Sequence, residues 1–196
     1  MNLIFQDLES ALQHFTSQDM GSQMSLVMHS IFTRFNRLPL ISVAAIEGYA
    51  LGGGAELTSW CDHRIASRDA TIRFVQVKMG VTPGWAGGYR VTEILGRSKA
   101  IKAFAGTLPI SGQQGMDLGY IDELVDAGTA QARATQLLQE YLEASEGSKD
   151  ALRGIKKVVT NVTDRDMDES LAREREIFSQ LWGGKDNLAA LARFKK

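Results

Sequence analysis

The sequence contains few cysteines, prolines and histidines, the residues on which disulfide-rich, proline-rich and many zinc-binding proteins depend. Its 196 residues include one cysteine, three prolines and three histidines. A single cysteine excludes an internal disulfide, and three scattered histidines give no zinc-type cluster of ligands. So few prolines exclude a proline-rich, low-complexity chain. The single cysteine favours a reducing compartment, and the scattered histidines lead us to expect no metal site.

An excess of charge of one sign and a long apolar run are also missing. The 22 basic and 23 acidic side chains give a formal net charge of -1, so nothing beyond a short tail of Arg193, Lys195 and Lys196 suggests nucleic acid as a partner. The longest apolar run, residues 38–46, is far below the ~18 residues that span a bilayer. The first residues lack a basic presequence. We therefore expect a cytosolic chain that binds neither nucleic acid nor a membrane.

What is present is enough apolar sequence for the core of one α/β domain, with 44% of residues hydrophobic. Apolar periodicity predicts strands early in the chain and helices at its end. Strands are expected at 40–46, at 120–125, and as a pair at 64–66 and 71–75, with residues 47–54 forming a turn. Helices are expected at 3–17, 22–37, 55–61, 88–95, 97–105, 129–145, 149–160, 167–182 and 185–194. A capping box of Ser111 and Gln114 opens one more short helix that stops at Gly119.

The most informative segment is a triple-glycine turn, Gly52 to Gly54, between a predicted strand and a predicted helix. Glycines let a ligand approach the backbone, and N–H groups at a helix start favour developing negative charge. No lysine follows the last glycine and the G-x-G-x-x-G spacing is absent, so a phosphate loop is excluded. Two ordinary explanations stay open: a tight turn beneath a packed helix, and a Glu56 that gains only ~0.3–1 kcal/mol from the helix dipole.

Three segments carry a resemblance to a known family: residues 39–57 with the glycine turn, Cys61-Asp62, and residues 80–88. Together they resemble the crotonase (enoyl-CoA hydratase/isomerase) superfamily, over about residues 24–126. Residues 37–43 and 72–75, with Trp85 and Trp182, resemble its ethylmalonyl-CoA decarboxylase branch.

The resemblance implies a fold of repeated ββα turns, here N-terminally truncated, with a helical C-terminal extension. Residues 1–126 would form the partial core and residues 127–196 a helical trimerisation region. It also implies an acyl-CoA thioester as substrate, a homotrimer or dimer of trimers, and no metal or organic cofactor. The implied reaction releases CO₂ from ethylmalonyl-CoA and, less readily, from methylmalonyl-CoA.

The same resemblance assigns roles to individual residues. The N–H of Gly53 would be an oxyanion donor, and Glu56 would be the remaining catalytic carboxylate, positioning or reprotonating the enolate carbon. Gly84 and Trp85 would line the acyl pocket, although ordinary packing explains Trp85 equally well and explains Trp182 better. The full set expected to bind substrate is Gly52, Gly54, Gln76, Pro83, Gly84 and Trp85.

Gln76 favours a decarboxylase over a hydratase. Hydratases of the family carry a second glutamate at this position, and an amide removes half of the acid–base pair that adds water to a double bond. Decarboxylation needs only a stabilised enolate, to which each oriented amide contributes ~3–4 kcal/mol.

Two alternatives remain. One is an enoyl-CoA hydratase/isomerase. The other is a catalytically impaired fragment that acts as an assembly partner, because relatives carry further strands, and the loop with the other oxyanion N–H, before the segment that matches residues 22–37.

The remaining reactive side chains suggest no second chemistry. His14, His29 and His63 form no expected triad, and Cys61 is expected to be buried inside a helix.

Overall fold

A computed structural model describes residues 17–145, 148–163 and 167–193. The helix expected at 3–17 therefore lies outside the described residues, except for Ser17. The basic residues Lys195 and Lys196 also lie outside them. Within those ranges the chain forms nine α-helices, six short strands and one 3₁₀ turn. None of the helices there is both long and apolar enough to cross a bilayer.

The elements alternate early and are purely helical late, as the sequence predicts. The helices are α1 Gln18–Asn36, α2 Gly53–Ser59, α3 Gly87–Leu95, α4 Arg97–Gly106, α5 Gly112–Leu118, α6 Ala130–Ala144, α7 Lys149–Thr163, α8 Met167–Leu181 and α9 Lys185–Ala192. The strands are β1 Val43–Ile46, β2 Tyr49–Leu51, β3 His63–Ser67, β4 Thr71–Arg73, β5 Ile110–Ser111 and β6 Glu123–Val125, and the 3₁₀ turn is Gln76–Met79. The capping box of Ser111 and Gln114 is confirmed at the start of α5.

The strands form two three-stranded sheets. One has the order β1-β3-β6 with parallel pairs, and the other has the order β2-β4-β5, parallel between β2 and β4 and antiparallel between β4 and β5. Two predictions were wrong here. Residues 47–54 are not only a turn, because β2 lies inside them, and β3 and β4 do not pair with each other. A three-residue strand between glycines is too short to show an alternating pattern.

The core under the second sheet fixes the position of α2. Tyr120 is fully buried, its hydroxyl donates to the backbone carbonyl of Ala55 at 3.1 Å, and it lies 2.8 Å from Thr58 Oγ1. Burial raises the pKa of Tyr120 to about 12. The phenol is therefore a permanent neutral hydrogen-bonding group that holds α2 to the core.

The C-terminal helices cover the core. Trp182, at the end of α8, is buried against α1, where a Cβ on Gly21 would lie 2.5 Å from the Cβ of Trp182. This confirms that Trp182 is a packing residue. In α9, the Asn187 side chain donates to the carbonyl of Met79 at 2.9 Å, which ties that helix to the 3₁₀ turn.

Helix α7 is joined to the core by an ion pair between Lys156, which is buried, and Asp62, which is partly buried. The Lys156 side chain is 4% exposed, and Asp62 also accepts bonds from the N–H and hydroxyl of Ser42 at 2.8 and 3.0 Å. Lys156→Met would leave the Asp62 charge without its counterion, so we expect a loss of about 3 kcal/mol in the free energy of unfolding by urea. Lys157→Met, at an exposed neighbour, is the matched control. Equal stabilities of the two variants would contradict this role.

The carboxylate of Glu47 caps the start of helix α6. It accepts hydrogen bonds from the N–H groups of Gly128 and Ala130 at 3.0 and 2.8 Å. These bonds lower the pKa of Glu47 from its ordinary value of 4.5. Since the folded pKa is depressed, the stabilisation is present above the unfolded pKa and is lost as the pH falls through the folded pKa. Glu47→Gln should therefore be less stable than the native chain near neutral pH, and the difference should shrink in acid.

Unfolding in urea at a series of pH values measures this effect. Glu143→Gln, at an exposed position of α6, is the matched control, and near neutral pH Glu47→Gln should lose more stability than this variant. A stability difference for Glu47→Gln that stays constant from neutral pH into acid would refute the capping role.

Candidate active site

The triple-glycine turn joins β2 to α2 and divides its N–H groups between two roles. Gly52 has φ 52° and ψ -120°, a combination open only to glycine, and its N–H donates to the carbonyl of Arg73 at 2.9 Å. Gly53 is the first residue of α2, and its N–H has no acceptor among the residues that the structure describes. The N–H expected to be the oxyanion donor is thus available, whereas the Gly52 N–H is already bonded to β4. Contact between Gly52 and a substrate stays a prediction.

Glu56 lies one turn further along α2 and is 2% exposed. Its Oε1 accepts the side-chain N–H of Gln76 at 2.6 Å, and its Oε2 accepts the backbone N–H groups of Trp85 and Gly87, both at 2.9 Å. All three groups are donors, which is the environment that an ionised carboxylate requires when it is buried. The helix dipole alone does not explain Glu56, because the carboxylate is the centre of a bonded network.

The loop from Gly84 to Gly87 is shaped to wrap this carboxylate. A Cβ on Gly87 would lie 2.5 Å from Glu56 Cγ and 2.7 Å from Oε2, so only glycine allows the close approach. Ala86 has φ 62°, a left-handed conformation that is unfavourable for a residue with a side chain. The network that holds the two flanking N–H groups compensates for this strain.

Gln76 is 8% exposed and begins the 3₁₀ turn. Its amide must direct Nε2 at Glu56, because the reverse orientation would oppose two acceptors. Its Oε1 is then buried with no hydrogen-bond partner in the described part of the chain. The side chain beside Glu56 is therefore a neutral donor, and it supplies no second base.

Trp85 forms a wall beside the Gly53 amide. A Cβ on Gly53 would lie 2.5 Å from Trp85 Cε3, and the Trp85 ring lies 6.4 Å from that of Phe32, centroid to centroid. The structure thus places Trp85 at the site, packed on α1 and α2 together.

The other residues expected to bind substrate include Gly84, Pro83 and Gly54. Gly84 is buried, its carbonyl accepts the hydroxyl of Ser25 at 2.7 Å, and a Cβ on it would lie 2.8 Å from Cγ of Phe178. Gly84 therefore contacts α1 through Ser25 and α8 through Phe178. Pro83 and Gly54 are partly exposed. Their contact with a substrate stays a prediction.

The remaining reactive groups are accounted for by local contacts. Cys61 is buried, as expected, but the prediction that it lies inside a helix was wrong, because α2 ends at Ser59. Burial raises the pKa of this thiol to about 11. His63 lies 2.9 Å from the Tyr141 hydroxyl. In the ranges that the structure describes, no three His, Cys, Asp or Glu side chains are grouped to hold a metal ion.

Comparison with known proteins defines the class first. An enoyl-CoA hydratase from Mycobacterium avium subsp. paratuberculosis has a similar fold, with a TM-score of 0.79 over 87% of this chain and 69% of that one, at 22% identity. The enoyl-CoA hydratase/isomerase family matches residues 6–195, and the chain belongs to this family. The expected crotonase fold is confirmed.

Two curated relatives are more similar in sequence. Ethylmalonyl-CoA decarboxylase of Mus musculus is 38% identical over 187 residues, which cover 94% of this chain and 57% of the relative. The Rattus norvegicus protein of the same name is 37% identical over 187 residues, covering 94% and 62%. The resemblance to this branch is confirmed, and the chain spans about three-fifths of the length of these relatives.

Proposed function

We propose that this chain carries the site of an acyl-CoA decarboxylase that releases CO₂ from ethylmalonyl-CoA and methylmalonyl-CoA. The observation that carries the proposal is the 2.6 Å bond from the Gln76 amide to Glu56. A hydratase needs a pair of groups that can hold and deprotonate water, and this pair contains one carboxylate and one amide that is neither acid nor base. The names of the curated relatives point in the same direction.

The proposed reaction starts with the thioester carbonyl oxygen accepting the N–H of Gly53. The bond between the α-carbon and the carboxylate then breaks, its electron pair enters the enolate, and CO₂ leaves. The developing charge on the enolate oxygen is what the amide at the start of α2 stabilises, by about 3–4 kcal/mol for a well-placed donor. A proton from solvent then adds to the α-carbon and gives the acyl-CoA product.

Glu56 has a fixed role in this proposal. Its carboxylate is held by three N–H donors, so it stays in place as a negative charge and as the anchor of the Trp85–Gly87 turn. A fixed negative charge disfavours the carboxylate of the bound substrate more than neutral CO₂, which favours the forward reaction. The proposed steps use an N–H donor and a fixed charge, and the proposal includes no metal or organic cofactor.

The test is to incubate the purified chain with ethylmalonyl-CoA and, separately, with crotonyl-CoA. We expect CO₂ and butyryl-CoA from the first and little 3-hydroxybutyryl-CoA from the second. Gln76→Glu is the informative variant, because it puts a second carboxylate at the hydratase position and should raise hydration relative to decarboxylation. Hydration of crotonyl-CoA by the native chain, without CO₂ from ethylmalonyl-CoA, would replace the proposal with a hydratase.

One observation favours a second candidate, an assembly partner for a longer relative. Among the residues that the structure describes, strands β1 and β2 are each at an edge of their sheet, and an unpaired edge is a template for strand addition. The chain also matches 57% and 62% of the two curated relatives. Mixing it with the Mus musculus relative and measuring masses by analytical ultracentrifugation would show mixed oligomers. Full turnover by the chain alone would contradict this second function.

A further inference from the structure

We propose that Ser25 and His29 of α1 are positioning residues: they fix the peptide bond between Gly84 and Trp85 and so set the wall that Trp85 forms beside the Gly53 amide. As a device for choosing the acyl group, this inference rests on the proposed function. As a statement about which groups hold the wall in place, it is independent of that function.

The first step is the direction of the hydrogen bonds in α1. Ser25 is fully buried, and its Oγ lies 2.7 Å from the Gly84 carbonyl oxygen and 3.2 Å from His29 Nε2. A carbonyl only accepts, so the single hydroxyl hydrogen of Ser25 goes to Gly84. His29 Nε2 must then carry a hydrogen and donate it to Ser25 Oγ. The bonds form a chain from His29 through Ser25 to Gly84.

The second step is that the same peptide bond is held from its other side. The Gly84 carbonyl oxygen accepts from Ser25 on α1, and the Trp85 N–H donates to Glu56 Oε2 on α2. The plane of this peptide cannot rotate without breaking one of these two hydrogen bonds, of which the first is buried and the second partly buried. A free rotation of this plane is what would swing the Trp85 side chain away from its neighbours, so the two bonds together fix its direction.

The third step connects the fixed peptide to substrate choice. The Trp85 ring fills the space that a side chain on Gly53 would need, so its position determines the room beside the proposed oxyanion donor. Without the Ser25 hydroxyl, the buried Gly84 carbonyl would lack its donor, and the loop would relax toward another partner. The room beside Gly53 would then become less defined, and the site should discriminate less between an ethyl and a methyl branch.

The experiment compares variants that remove or keep individual donors. Ser25→Ala removes the bond to Gly84, His29→Leu removes the donor to Ser25, and His29→Gln keeps an N–H at a similar reach. Thr33→Val is the matched control, because Thr33 is also buried on α1 but its hydroxyl donates only to carbonyls of its own helix, those of His29 and Ser30. Urea unfolding of every variant separates local from global effects.

The first readout needs no substrate: hydrogen exchange of the Trp85 and Gly87 amides, followed by NMR. We expect the Trp85 amide to exchange at least about tenfold faster in Ser25→Ala. Its exchange rate should rise less in His29→Gln than in His29→Leu. In Thr33→Val the rate should change only as far as global stability changes. Unchanged exchange in Ser25→Ala, or an equal increase in Thr33→Val, would overturn the positioning role.

The second readout is the ratio of kcat/KM for ethylmalonyl-CoA to that for methylmalonyl-CoA. We expect the ratio to move toward one by about threefold or more in Ser25→Ala and to stay constant in Thr33→Val. An unchanged ratio together with faster Trp85 exchange would overturn the link to substrate choice and leave the positioning role standing. If the native chain releases no CO₂ at all, the proposed function fails, and the exchange data alone decide the positioning role.

Discussion

Replacing Glu56 by leucine is expected to destabilise the chain by about 3–5 kcal/mol, whereas replacing it by glutamine is expected to leave most of the stability. Leucine removes the acceptor for three buried N–H groups, those of Gln76, Trp85 and Gly87, and each unsatisfied donor costs about 1–3 kcal/mol. In Glu56→Gln, the new amide oxygen can keep the two backbone donors. Its NH₂ can then face Gln76 Oε1, which has no other partner among the described residues, after the Gln76 amide turns over.

The glutamine variant should lose catalytic rate even though it keeps most of the stability. Glu56→Gln removes the fixed negative charge while the turn stays in place, so we expect the rate of CO₂ release from ethylmalonyl-CoA to fall by about 10²-fold. Urea unfolding and a CO₂ assay on the same preparations measure both effects. A leucine variant as stable as the glutamine variant would show that the carboxylate does not anchor the turn. A glutamine variant with native turnover would show that its charge does not matter.

Gly53→Ala is expected to reduce kcat/KM for ethylmalonyl-CoA by about 10²–10³-fold. The added methyl group would overlap the Trp85 ring, with Cε3 at 2.5 Å, so either the ring or the first turn of α2 must move. Moving that turn takes the Gly53 N–H out of line with the enolate oxygen, which is equivalent to losing one oxyanion donor. The overlap should also lower the free energy of unfolding by about 1–3 kcal/mol.

A double variant tests whether the overlap is the cause. Trp85→Leu shortens the side chain that the methyl group meets, so Gly53→Ala should lose less stability in a Trp85→Leu background than in the native one. The difference between the two losses is the coupling free energy of a double-mutant cycle. Losses that simply add would place the effect of Gly53→Ala in the backbone of α2 and not in its contact with Trp85.

Local patterns in the sequence predict much of this fold. The helices from 130 onward, the capping box at Ser111 and strand β1 follow from apolar spacing and from residues that start or stop helices. The strand β2 does not, because three residues between Gly48 and Gly52 show no period. The separation of β3 from β4 into two sheets depends on partners far along the chain, and short strands carry no signal for their partners.

The candidate site divides in the same way. Gly53 and Glu56 stand one helical turn apart in the segment that resembles the family, so the resemblance identifies them, although spacing alone does not. The bond between Glu56 and Gln76 spans 20 positions, and that between Ser25 and Gly84 spans 59, so neither follows from spacing. A serine and a histidine four apart on a helix are common, and only the tertiary structure shows that they reach the loop that carries Trp85.

If a thioester carbonyl binds to the N–H of Gly53, NMR of the backbone amides during a titration with butyryl-CoA should detect it. The internal control is Gly52, whose N–H is already bonded to the Arg73 carbonyl at 2.9 Å. We expect a large downfield shift of the Gly53 amide proton that saturates with ligand and a smaller change at Gly52. In Gly53→Ala, the response at position 53 should be lost. Binding of butyryl-CoA that leaves the Gly53 amide unshifted would show that this N–H does not bind the thioester carbonyl.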